Sequence, residues 1–153
     1  AVVLINDPGF RSGDNQLFKG DAMTYYGRWT YKYEEAARQG AAGILIIHET
    51  EPASYGWNVV QSSWSGAKMN LESSAPQTDV QGWISMESAQ QLFENSSLED
   101  KNYNNLAKQK NFKPIALGLK SPILDAPCKA FFASNSISLK YLTSPVDGSI
   151  SAV

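Results

Sequence analysis

The chain has 153 residues, 42% of them hydrophobic, which allows a single domain over 1–153 able to bury about 70% of its unfolded surface. A formal net charge of −2 with only 18% charged residues leaves no electrostatic footprint for nucleic acid, and 4 Trp, 7 Tyr and 6 Phe argue for a packed core over disorder. The longest apolar run, residues 41–47, is far short of the ~20 residues that span a bilayer, and the lone Cys128 excludes an internal disulfide.

Val2 to Ile5 reads as a buried strand, closed by the turn chemistry of Asn6-Asp7-Pro8-Gly9. The sequence starts abruptly inside that strand with no signal peptide, so an excised piece or processed product is expected. Residues 10–24 are polar and read as a long loop. Trp29, Tyr33, Ala36 and Ala37 then fall at i, i+4, i+7 and i+8, one face of a helix. Gly40 stands where that helix stops, since glycine enters the left-handed C′ conformation without a Cβ penalty. Ile44 to Ile47 is an unbroken apolar run, the mark of a strand buried on both faces. Helix, glycine turn and buried strand make an α/β core unit.

Glu51-Pro52 ends regular structure, and residues 53–78 carry Tyr55, Trp57 and Trp64 with no sustained periodicity. A long, aromatic loop is expected there, with at least one tryptophan ring at the surface. Val80, Gly82, Ile84 and Met86 alternate with Gln81, Trp83 and Ser85 as a strand does. Ser85 is placed to cap a helix whose apolar face holds Ala89, Leu92 and Phe93. Ser97 to Asp100 opens a second, weaker helix in near capping-box form, with Leu98, Leu106 and Ala107 inward. Residues 115–119 read as a strand, 130–142 as one or two more, and Asp147-Gly148 as a turn.

The motif Ala36-Ala37-Arg38-Gln39-Gly40-Ala41-Ala42-Gly43 before an aliphatic strand resembles the central unit of the protease-associated domain. Val3 to Gly9, Tyr26-Gly27-Arg28-Trp29-Thr30-Tyr31 and His48 to Pro52 are similar to the version inserted in bacterial zinc aminopeptidases, relatives of glutamate carboxypeptidase and the transferrin receptor. The resemblance covers residues 2–70 best, extends to 78–119 and is thin after Ser121. It implies an α/β fold of mixed β-sheets, as a sandwich or half-open barrel with flanking helices. It also implies a non-catalytic domain of an exported exopeptidase, shaping substrate access to a catalytic domain of the same polypeptide. Zinc would belong to that domain, and this chain would need no cofactor. As an insert, its ends should lead back to the peptidase, so residues 2–5 and 138–142 are expected close together in one sheet.

The residues themselves offer little catalytic chemistry. A two-zinc peptidase site needs converging His, Asp and Glu ligands, and His48 is the one histidine. Ser65-Gly66-Ala67-Lys68 matches S-x-x-K without its companion motifs, and Ser63-Trp64-Ser65-Gly66 lacks the glycines of a nucleophile elbow. Cys128 beside Lys129 reads as an ordinary thiol. Asp7, Asp14, Asn15 and Asp21 are of the ligand type calcium prefers, yet without EF-hand spacing, and turn formation explains them equally well. Asn95-Ser96-Ser97 is a sequon, meaningful only in a eukaryotic secretory setting.

The sharper signal is Tyr25, Tyr26, Trp29 and Tyr31 around Gly27-Arg28, with a cation where a helix start gains nothing from it. Tyr26, Gly27, Arg28, Trp29, Trp57 and Trp64 are therefore the candidate partner- or substrate-facing residues. Arg28 either stacks on a ring or pairs with an acid at the surface, or it presents its guanidinium to a partner or substrate carboxylate. The competing function class is an autonomous peptide or small-molecule binding module built on the Trp57/Trp64 loop.

Overall fold

The computed structural model describes residues 1–65, 74–96, 102–120, 137–141 and 149–152, the last two segments as backbone. Six strands form one mixed sheet in the order β4-β6-β1-β2-β3-β5. Its centre is parallel: β1 (Val2–Leu4) lies beside β2 (Gly43–His48), and β2 beside β3 (Val80–Ser85). On one side β5 (Ile137–Tyr141) runs antiparallel to β3. On the other, β6 (Ser149–Ala152) meets β1 in parallel at Val2 and pairs antiparallel with β4 (Ile115–Lys120). The architecture is mixed α/β.

Alternation along the central strands divides the core in two. Val3, Ile5, Ile44, Ile46 and Trp83 face one way and pack with Tyr33 and Ala36 of α1 (Trp29–Arg38) and Val60 of α3 (Trp57–Trp64). Val2, Ile47 and Ile84 face the other way, with Ala89 and Phe93 of α4 (Met86–Glu94) and Leu117 of β4. Tyr103 of α5 (Tyr103–Ala107) packs against this second cluster. Each central strand thus buries both faces, which is why its sequence reads as continuously apolar rather than alternating with polar residues.

Helix α1 ends as its sequence implies. Gly40 has φ +75°, its N–H donates to the Ala37 carbonyl, and the Ala41 N–H reaches back to Ala36 at 2.9 Å. This Schellman pair satisfies carbonyls that the helix end would otherwise leave open. Ser85 caps α4 by accepting the Ser88 N–H at 3.2 Å. Tyr33 fixes α1 to the sheet, its buried hydroxyl donating to the Gly82 carbonyl at 3.2 Å.

Three expectations need correction. Residues 53–64 are not an irregular loop: α2 (Thr50–Ala53) and α3 follow β2 directly. The reason is packing, since Trp57, Val60, Gln61 and Trp64 fall at i, i+3, i+4 and i+7 and the apolar ones meet the core. Neither tryptophan of α3 is exposed; both are half-buried. Finally, β1 and β5 do share the sheet, but β2 and β3 separate them, and β6 is the late strand that touches β1. Residues 66–73, 97–101, 121–136, 142–148 and 153 lie outside the described residues, and with them Leu98, Lys68, Cys128 and the Asp147-Gly148 turn.

Candidate functional site

The polypeptide leaves β1 through Ile5 into Asn6 and Asp7, both buried. The Asp7 carboxylate accepts the Thr24 N–H at 2.6 Å and the Thr24 hydroxyl at 3.1 Å, while Asn6 N–H donates to the Gly27 carbonyl at 3.0 Å. These bonds pull the single helical turn Tyr25–Gly27 down onto the end of β1. Gly27 is the contact point: a Cβ on it would stand 2.9 Å from the backbone nitrogen and from the carboxyl carbon of Asp7. What lies opposite Gly27 is therefore its own chain, and its side faces inward.

With Gly27 pinned, its neighbours point outward. Tyr25 and Tyr26 are 51% and 52% exposed, and Phe18, Met23 and Trp29 are exposed beside them. The rings meet edge to face: Tyr26 with Tyr31 at 4.9 Å, Tyr25 with Tyr31 at 5.4 Å and Phe18 with Tyr26 at 6.1 Å between centroids. Trp29 continues the series inward, 5.1 Å from Trp64, which in turn packs on Tyr33 and Trp83. Edge-to-face pairs contribute about 0.5–1.5 kcal/mol each beyond area burial, so this lip is held rigidly although it is wet. Phe18 and Lys19 hold it at a cost, with φ of +50° and +66° ahead of Gly20 at +63°. Two left-handed non-glycine residues in succession cost on the order of 2 kcal/mol.

Arg28 stands in the middle of this lip. It is exposed, in extended backbone at φ −74° and ψ 144°, as the residue before α1. Its guanidinium forms no ion pair, hydrogen bond or ring stack with another described residue. Arg11 and Arg38 are both spoken for, by Glu51 and Glu35. Of the six candidates from sequence, Tyr26, Arg28 and Trp29 form one surface, Trp64 supports it from beneath, and Gly27 anchors it. Trp57 is elsewhere, packed edge to face with His48 at 5.6 Å. Sequence reasoning missed Phe18 and Met23, which sit in the polar loop; an aromatic in an otherwise polar run was the available signal.

His48 ends β2 inside a second set of rings, Tyr55, Trp57 and Trp83, and its Nε2–H donates to the Tyr55 carbonyl at 3.0 Å. Burial holds its pKa below the ordinary value, since the imidazolium would lose water there, and the bond to Tyr55 offsets this in part. Asp14 accepts the Gln16 N–H and Asp21 the Arg11 N–H, so the loop acids serve turns separately. Among the described residues, no three side chains of His, Cys, Asp or Glu converge as a metal site requires. No described helix is long and apolar enough to cross a membrane.

Comparison of the chain with protein-family models, with curated proteins and with solved structures finds no match in any of the three.

Proposed function

We propose that this chain is a non-catalytic protease-associated module of an exported zinc-dependent aminopeptidase, bounding substrate access to a separate catalytic domain of the same polypeptide. The finer fold reading, a protease-associated domain with its sheets as a sandwich or half-open barrel, belongs to the same proposal. Its support is the unit from Ala36 to Ile47, where a helix, a left-handed glycine and a buried parallel strand follow one another. The zinc and the hydrolytic chemistry would reside in the catalytic domain.

The observation that carries the functional reading is Arg28, exposed and without a partner among the described residues, between the exposed rings of Tyr26 and Trp29 in sequence, on a surface that Trp64 supports from below. Large rigid rings with a central arginine are the composition of interface hot spots. A guanidinium offers a planar fork of donors that matches a carboxylate on a substrate or a facing domain. The rival reading, a binding loop at Trp57 and Trp64, has less to stand on because both rings pack on the core.

The test is Arg28→Ala in the intact polypeptide that carries this chain. Its kcat/KM on aminoacyl substrates is expected to fall roughly 10- to 150-fold, about 1.5–3 kcal/mol for a hydrogen bond to a charged group. The isolated chain should melt unchanged, because an exposed arginine contributes little to stability. A lowered melting temperature with unaltered kinetics would overturn the reading and make Arg28 structural.

A further inference from the structure

A groove of about 680 Å³ runs between β1 and α1, with Tyr31 on its border with the aromatic lip. Val3, Ile5 and Ile44 form part of its wall, and Phe112 and Pro114 stand in the segment between α5 and β4 that borders it. Its size lies within the ~300–1,000 Å³ of small-molecule clefts, which are mostly apolar with a few converging polar groups. One such group is Lys32. Its ammonium donates to the Asn6 carbonyl at 3.0 Å, and its remaining donors have no partner among the described residues.

The acids that border the groove have partners other than Lys32, of which the cations Arg11 and Lys108 border it as well. Glu35 binds Arg38 and Gln39, Glu51 binds Arg11, and both Asp7 oxygens accept from Thr24. Glu49 accepts from Asn104, and burial raises its pKa, which weakens its claim as a counter-ion. Lys32 is thus a half-buried cation with no carboxylate in hydrogen-bond contact, though the Asp7 charge lies near enough to oppose the effect of burial on its pKa. An ammonium in that position is stabilised by any acceptor that enters with its own negative charge.

We propose that this groove binds a small monocarboxylic acid with an apolar tail, the carboxylate on Lys32 and the tail along Val3, Ile5 and Phe112. Tyr25, Tyr26 and Arg28 do not line this groove, although Tyr31 is shared between it and the lip.

The probe is octanoate, titrated by calorimetry into the chain and followed by methyl shifts of Val3, Ile5 and Ile44. Saturable one-to-one binding is expected, with octanol and octylammonium at least tenfold weaker. Lys32→Met should weaken octanoate at least tenfold while leaving octanol unchanged, and Lys32→Arg should retain binding. An unfolded Lys32→Met chain would be recognised by circular dichroism, and the decision would then rest on the charge series in the native chain. Absence of saturable octanoate binding overturns the proposal, as do equal affinities for octanoate and octylammonium. Shift changes confined to residues outside the groove would overturn it as well.

Discussion

Gly27 and Asp7 constrain each other through a separation that no side chain can enter. A methyl at position 27 would meet the Asp7 backbone nitrogen, which lies just past β1 and is held by its own bond to Asn6 Oδ1 and by the Thr24 bonds to its carboxylate. Gly27→Ala is expected to destabilise the chain by about 1–3 kcal/mol, the cost of forcing extra carbon into a fixed contact. At this chain length that lowers the melting temperature by several degrees, about 2–4 °C per kcal/mol. An unchanged thermal melt would mean that the turn at Tyr25–Gly27 is not docked on β1. His48 supplies a second prediction at this scale. Burial holds its pKa in the folded chain below the ordinary value of 6.5, to which unfolding releases it. The unfolded chain therefore takes up the proton first as pH falls. The contribution of His48 is complete above about 6.5 and is lost as pH falls through its lower folded value. Melting temperature measured from pH 7.5 to 5.5 should decline more steeply in the native chain than in His48→Phe, and parallel curves would remove His48 from the account.

Among the elements, α3 separates what the sequence displays from what it hides. The spacing of Trp29, Tyr33, Ala36 and Ala37, the stop at Gly40 and the run Ile44–Ile47 all carry their structure openly, because local chemistry and tertiary packing agree there. Ser85 and the strand before it are legible for the same reason. In α3 the helical spacing of Trp57, Val60 and Trp64 spans only two turns, among serines that favour caps and loops. Its rings supply the stabilisation: Trp64 meets Trp29, Tyr33 and Trp83 within 6.4 Å. Those partners come from elements far away in the chain, so a local reading sees only a loop. The lip itself is half legible, as Tyr26, Arg28 and Trp29 fall within four successive residues whereas Phe18 reaches Tyr26 from a left-handed turn. Acrylamide quenching of single-tryptophan chains checks this arrangement. Trp29 should quench most, Trp57 and Trp64 to an intermediate degree, and Trp83 hardly at all, since its exposure is 0%. A strongly quenched Trp57 or Trp64 would return α3 to the surface.

For the molecule as a whole, the position of β6 has a consequence in time. Val2 pairs with Leu45 on one side and with Ala152 on the other. The wider closure costs only about 1 kcal/mol more in chain entropy, because that cost grows with the logarithm of loop length. Delay matters more than energy. At roughly 5–20 residues per second of synthesis, the outer edge of β1 stays without β6 for on the order of 5–20 s after Leu45 has emerged. During that interval an apolar strand offers open backbone groups to any passing chain. β4 waits too, since β6 is its neighbour in the sheet. A chain ending at Gly148 should hold that intermediate permanently: amides of Ala116 to Lys120 would exchange freely while those of β2 and β3 stay protected, and aggregation would rise with concentration. Equal protection of β4 in both lengths would show that the last strand is not what closes the fold. Under that arrangement, the arrival of β6 decides how long the edge of β1 remains adhesive.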